Sequence, residues 1–394
     1  MNESLNRLAN LFRKESRMII GLMSGTSLDG LDIALCKISG SGLNTRAEVL
    51  QFETADYSDE FKEDLRTIFS KKQADLEKVT LLNSKIGLIH AELINRFLKK
   101  FNIPREHIDC IASHGQTIYH APKRLHQLKE YPNSTLQIGD ADHIALKTGI
   151  TTLSDFRQKH IAAGGEGAPL ALYGDYILFS SNSENRVLLN IGGISNFTYL
   201  PETGSNKAII CTDAGPGNTL IDGLCKKHFN ISYDKDGGIA QKGTINIGLL
   251  NSMLKHPFFY EDLPKTTGPE LFNQTFIQQS LMSADIENIR NEDLIATVTQ
   301  LTVEALALAL KKAIGDTDCT LYLSGGGVNN SFLVEKIVAK FPKNAVKKLE
   351  ELGISADAKE AVLFALLANE TICGSALETN AGPRVMMGKI SLPE

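Results

Sequence analysis

Three glycine-rich turns follow apolar runs, at Gly21–Gly30 (GLMSGTSLDG), Gly192–Asn196 (GGISN) and Gly325–Gly327. Glycine lets the backbone approach a ligand closely, so successive N–H groups can converge on an anion. One such turn is ordinary chain reversal. Three in the same strand-end context, two of them carrying hydroxyls, favour phosphate binding. Neither GxxxxGK[ST] nor GxGxxG between strand and helix occurs, which removes the main support for P-loop and Rossmann readings. A carboxylate, Asp213 in TDAGPGN, follows another apolar run and precedes a tight Gly-Pro-Gly turn. It reads as a strand-end acid facing a cleft. A helix-capping role is the plain alternative, but Asn218, directly before the next helix, suits the cap better. His114 in SHGQT sits at the end of a buried strand, where a hydrogen-bonded structural histidine is commoner than a base. Asp234 and Asp236 in DKDG lack the remaining ligands of a calcium loop and read as a turn.

These groups need elements to place them. Met18 to Leu22, the small-residue turn and Leu31 to Ile38 read as a hairpin. Val187 to Ile191, Gly192–Asn196 and Phe197 to Leu200 repeat that pattern. Helical periodicity covers 58–101, 293–314, a helix from Thr219, one after Asn330 and a last one from about 358 to 373. Short buried strands are expected at Cys110 to Ala112, Leu136 to Ile138, Ile209 to Cys211 and Leu321 to Leu323. Alternating strands and helices with two similar hairpins predict a duplicated α/β architecture, with the seam near residue 150. The domains expected are an amphipathic extension over 1–17, a first domain of 18–150 plus about 378–394, and a second of 151–377.

At 394 residues the chain has room for two or three domains. Its 42% hydrophobic and 22% charged residues are those of an ordinary globular chain, excluding disordered, collagen-like and coiled-coil classes. The formal charge of −5 has no basic stripe, so a nucleic-acid partner is not expected. Six cysteines lie far apart without CxxC or CxH spacing, which points to thiols in a reducing compartment. The charged opening, MNESLNRLANLFRKESR, lacks the apolar core of a signal peptide, and no apolar run approaches a membrane span. The expectation is a cytoplasmic protein.

Hairpin loops opening each half, with a late strand–GGG–helix element, resemble the sugar kinase/Hsp70/actin superfamily. More closely, GLMSGTSLDGLDIAL, SHGQT, DFR…AAGGEGAPL, LLNIGGISN, DAGPGN and SGGGVNN, in that order from about residue 18 to 385, resemble the anhydro-N-acetylmuramic acid kinase family. The resemblance implies a two-domain actin-like ATPase fold with an interdomain cleft. It implies ATP held by Gly21, Ser24, Gly25, Thr26, Ser27, Asp29 and Gly30 in the first hairpin, and by Gly192, Gly193, Ser195 and Asn196 in the second. Gly325, Gly326 and Gly327 would border the adenosine. Asp29 in the turn suits Mg²⁺ held through water, whereas Asp32 reads equally as an edge-facing charge. The hydroxyls can also simply bond their own backbone.

The implied reaction phosphorylates O6 of 1,6-anhydro-N-acetylmuramic acid while water opens the ring at C1, giving N-acetylmuramic acid 6-phosphate in cell-wall recycling. Asp213 matches the family's catalytic aspartate. Thr117, Asp155, Arg157 and Glu360 fall at substrate-contacting positions, where Arg157 can offer a fork to a carboxylate. Asp155 and Arg157 read equally well as a structural ion pair at a hinge. Two departures stand out: His160 where the family has Asp, and Glu166 where it tends to have Gln. They bear on sugar recognition and leave phosphoryl transfer untouched. Partners are then the sugar and ATP, and a homodimer is compatible with the family. The rivals are a kinase for another anhydro or amino sugar, a conventional hexose kinase, and a nucleotide-gated binding protein of the actin or Hsp70 type, for which no polymer or peptide interface is evident.

Overall fold

A computed structural model of the chain describes residues 3–376, 379 and 382–394. The first hairpin forms where the apolar runs predict it. β1 (Ser16–Ser24) pairs antiparallel with β2 (Gly30–Ser39), which continues antiparallel to β3 (Arg46–Asp56). On its other side β1 runs parallel to β4 (Cys110–Ala121). β4 carries β5 (Ser134–Ile138) antiparallel along its second half and β6 (Thr152–Ser154) parallel along its first.

The second hairpin repeats this path. β7 (Arg186–Ile191), β8 (Ile194–Leu200) and β9 (Ile210–Pro216) form an antiparallel meander. β7 then runs parallel to β10 (Thr320–Ser324), and β10 to β11 (Ala345–Lys348). Strand orders β3-β2-β1-β4-β6 and β9-β8-β7-β10-β11 therefore match in order and sense, which is the duplication expected. β12 (Lys389–Ser391) adds an antiparallel edge to β6.

Helices cover the sheets. The first part contains α1 (Glu3–Arg13), α2 (Asp59–Arg66), α3 (Leu76–Lys100), α4 (Lys123–His126), α5 (Ala141–Thr148), α6 (Phe156–Ala162) and α7 (Ala171–Phe179). The second contains α8 (Asn218–Phe229), α9 (Ile247–Leu254), α10 (Gln274–Ser283), α11 (Asn291–Ile314) and α12 (Ser331–Lys340). α13 (Lys359–Cys373) returns to the first sheet and packs on β1, β2 and β4. The approach is tight: a Cβ on Gly21 in mid-β1 would lie 1.9 Å from the Ala361 carbonyl oxygen. α1 packs against α13 with Leu11 buried, so the amphipathic extension is covered by its own chain. By length and composition α11 alone among the described residues could cross a membrane. It is instead a core helix, with Ile295, Val298, Leu301 and Leu306 all inaccessible.

Two compact units result, Met1–Leu178 with Asp357–Glu394, and Phe179–Ala356. The first contains an apolar core built from residues such as Ile20, Leu31, Ile86 and Ile111. The second contains apolar clusters around Phe272 and Ile295 and around Val187, Leu323 and Leu333. The seam is thus not near residue 150. β6 pairs with β4 (Ile111 opposite Thr152), which draws 151–178 into the first unit, and α13 joins it as well. Asn218 is also not the α8 cap: Gly217 holds that position, and Asn218 Nδ2 donates to Ile191 O at 3.2 Å. Strand β4 is far longer than Cys110 to Ala112, running through SHGQT.

Candidate active site

The loop between β1 and β2 has an exposed tip, Thr26, Ser27 and Asp29, with Gly25 half-buried. Leu28 is buried beneath it and anchors it. Of the residues assigned to phosphate, two are turned elsewhere. Gly21 lies in mid-strand, and its lack of a side chain admits α13. Ser24 is 1% exposed, and its hydroxyl bonds Gln116 and Tyr57 inside the unit. Gly30 begins β2, backed by the Ala55 carbonyl. Gly25, Thr26, Ser27 and Asp29 are left as the open part of the loop.

A second group of the first unit gathers at β4, α6 and α13. Arg157 donates from Nε to His114 Nε2 at 2.9 Å and from Nη1 to Gly167 O at 2.8 Å. Since Nε2 accepts, His114 is neutral with its proton on Nδ1. Burial, then the Arg157 charge, push its pKa well below the ordinary value, so it is no general base near neutrality. Glu360 reaches solvent, yet protein crowded around its carboxyl raises its pKa; Asp32 acts the same way and Arg157 opposes. Asp32 itself accepts from Thr54 Oγ1 at 2.6 Å across β2 and β3, and burial raises its pKa. Thr117 Oγ1 accepts from Gln137 Nε2 at 3.1 Å. Asp155, at a left-handed backbone position before α6, pairs with Lys389 on β12 and not with Arg157. The departing residues have structural partners too. His160 is buried and accepts the Gly167 N–H on Nδ1 at 2.9 Å, while Glu166 pairs with Arg124 at 3.3 Å on the surface.

In the second unit the Gly192–Gly193, Gly217 and Gly325–Gly327 turns converge. The Gly192 and Gly193 carbonyls accept the N–H groups of Asn218 (2.8 Å), Gly217 (2.9 Å) and Thr219 (3.1 Å), so the hairpin turn is stitched to the start of α8. A Cβ on Gly217 would meet Gly192 O at 2.3 Å, which explains the glycine there. Gly325, Gly326 and Gly327 lie against the same place, with Asn190 and Ile191 beside Gly325 and Asn218 beside Gly326. Ser195 is buried and gives its hydroxyl to the Gly215 and Pro216 carbonyls, so it braces the hairpin and is turned away from any phosphate. Asn196 stands opposite Asp213 in the β8–β9 register.

Asp213 lies within β9, half-buried. A distant segment aligns it. Its N–H donates to Lys265 O at 3.0 Å, and its Oδ2 accepts the Thr267 N–H at 2.8 Å. Thr212 Oγ1 receives the Lys265 N–H at 2.9 Å. The Lys265 ammonium is buried, donates to Phe258 O at 2.6 Å and sits 4.2 Å from the Phe258 ring centroid. Desolvation lowers its pKa. Sequence reading missed this segment, as it missed Gln116, Tyr57 and His90. No grouping of three or more His, Cys, Asp or Glu side chains able to hold a metal occurs among the described residues. A lone exposed carboxylate such as Asp29 fits only a cation that keeps most of its water, as Mg²⁺ does beside phosphates.

The model of the anhydro-N-acetylmuramic acid kinase family matches residues 17–388. The chain belongs to that family. An anhydro-N-acetylmuramic acid kinase of Pseudoalteromonas atlantica is 49% identical over 402 residues, covering 100% of both chains. One from Caldanaerobacter subterraneus subsp. tengcongensis is 42% identical, covering 98% of this chain and 100% of its own. Among solved structures, an activator of 2-hydroxyisocaproyl-CoA dehydratase from Clostridium difficile aligns over 90% of this chain and 96% of its own. Its 12% identity and TM-score of 0.43 make that likeness too loose to bear on the site.

Proposed function

We propose that the chain is an ATP-dependent kinase that opens the 1,6-anhydro ring of 1,6-anhydro-N-acetylmuramic acid and phosphorylates O6, a step of peptidoglycan recycling in the cytoplasm. The observation that carries the reading is full-length family membership together with Asp213, a strand-borne carboxylate oriented by the Thr267 N–H. A water oxygen attacks C1 as Asp213 takes its proton, and the C1–O6 bond breaks. O6 bonds to the γ-phosphorus, and ADP leaves. The departing oxygen goes to phosphorus, so no carboxylic acid is needed to protonate it, and one base suffices.

The open loop Gly25–Asp29 and the Gly192–Gly193 and Gly325–Gly327 turns hold the nucleotide. Mg²⁺ at Asp29, through water, would neutralise phosphate charge. Arg157, with two donors already used by His114 and Gly167, offers its remaining N–H groups to the sugar's lactate carboxylate. Thr117 and Glu360 contact the sugar hydroxyl or amide groups. Asp155, tied to Lys389, supports the Arg157 turn. The test is to compare ADP release with the anhydro sugar, N-acetylmuramic acid and glucose, and to run the reaction in ¹⁸O-water. Label at C1 with initial inversion supports the mechanism; label in the phosphate ester, or equal turnover of glucose, would sink it.

A further inference from the structure

The first phosphate loop is held at both ends by one tyrosine. Tyr57 follows β3, and its N–H donates to Asp29 O at 3.0 Å, fixing the far end of the loop. Its hydroxyl, inside the unit, lies 2.8 Å from Ser24 Oγ and 2.8 Å from His90 Nε2 on α3. Ser24 in turn bonds Gln116 Oε1, and Gln116 Nε2 donates to Gly25 O at 3.2 Å and to Thr117 O at 3.3 Å. The near end of the loop is therefore reached through Ser24 and Gln116.

Proton directions follow from the last link. The Gln116 nitrogen faces two carbonyls, so its oxygen must face Ser24, and the single Ser24 proton goes there. Ser24 then accepts from Tyr57, and Tyr57 accepts from the His90 Nε2–H. His90 Nδ1 has no partner, which suits a bare ring nitrogen, and burial keeps the imidazole neutral, its pKa pushed down to about 3. His90, Ser24 and Gln116 are 0–1% exposed and Tyr57 is 5%, so bulk water does not compete for these bonds. Each member has one role in a one-way relay, and the relay ends on the loop.

We propose that Tyr57 is a positioning residue for ATP, setting the distance between Gly25 and Asp29 and so the fit of the loop to the nucleotide phosphates. This rests on reading that loop as phosphate-binding, and the test separates the two. Tyr57→Phe keeps the ring and backbone N–H and removes only the hydroxyl. In the full chain it should raise KM for ATP, and Kd for a non-hydrolysable ATP analogue, about tenfold, the scale of one lost hydrogen bond. KM for the sugar should stay within about twofold and the melting temperature within a few degrees. Ser24→Ala, which cuts the same relay without touching the ring, should reproduce the split. Gly25→Val tests the loop itself, since a Cβ there meets only Ser27 Oγ at 3.8 Å and folding should tolerate it. If Gly25→Val weakens ATP binding and neither relay variant does, the clamp is overturned. If none of the three does, the phosphate reading fails and takes the clamp with it. Equal rises in both KM values with a lower melting temperature would reduce Tyr57 to a packing residue and also overturn the proposal.

Discussion

Asp213, the proposed base, has one carboxylate oxygen tied to the Thr267 N–H, which orients its side chain. Asp213→Asn retains that acceptor and loses the basicity. Turnover should fall at least ~100-fold, the scale of a lost general base, with binding of an ATP analogue nearly unchanged. Single-turnover kinetics and analogue titration check both, and activity within a few fold of wild type would reject the assignment. A second residue-scale expectation concerns acid. His90 titrates at about 6.5 unfolded and about 3 folded, so its neutral burial is fully stabilising above 6.5 and is lost as pH falls toward 3. By about pH 5 this group alone should have removed about 2 kcal/mol, on the order of 1.4 kcal/mol per pH unit. Urea unfolding of wild type and His90→Gln at stepped pH should show the wild type falling more steeply; parallel curves would contradict it. Residue type and local spacing singled out Asp213 as a candidate, and the family resemblance singled out Arg157. Neither could announce Thr267 or Gln116, whose contacts with Asp213 and Gly25 link positions far apart in the chain with no periodic trace.

At the scale of elements, strands buried over most of their length were legible because they are written as short apolar runs, as in β1, β2, β7 and β8. β3 was not. As an edge strand, it has exposed or half-buried residues throughout, so RAEVLQFETAD shows little contrast. The Asn218 cap failed for a related reason. A side-chain cap is a local habit, whereas here the turn carbonyls of another hairpin take the first N–H groups of α8. The loop hydroxyls divide in the same way: Ser24 and Ser195 brace backbone and neighbours, and Thr26 and Ser27 stay open. Gly21 gives the element-scale prediction. An added Cβ would collide with the α13 backbone at Ala361, so strand and helix must separate. Gly21→Ala should cost about 1–3 kcal/mol, the range of overpacking strain. A denaturant midpoint unchanged from wild type would show that α13 shifts freely.

For the whole molecule, duplication was legible because both halves open with the same hairpin and loop chemistry. The seam was not, since a three-residue strand such as β6 leaves too faint a pattern to assign it to a sheet, and its partner β4 lies some forty residues earlier. The boundaries at Leu178/Phe179 and Ala356/Asp357 make the second unit one continuous stretch with its own cores. Residues 179–356 expressed alone should therefore unfold cooperatively, which circular dichroism through a urea titration would show; a gradual, sloping loss of signal would refute it. The first unit has no such independence. Its opening strand is sealed by α13, and Gly21 meets Ala361 about 340 residues later, so at the ribosome's roughly 5–20 residues per second the sheet waits some 20–70 s for its covering helix. During that time the enclosed unit can fold while the apolar face of β1 is still uncovered. Synthesis thus inverts the usual order, the middle of the chain maturing before its beginning. Nascent chains stalled before residue 357 should be the ones that chaperones hold and proteases remove.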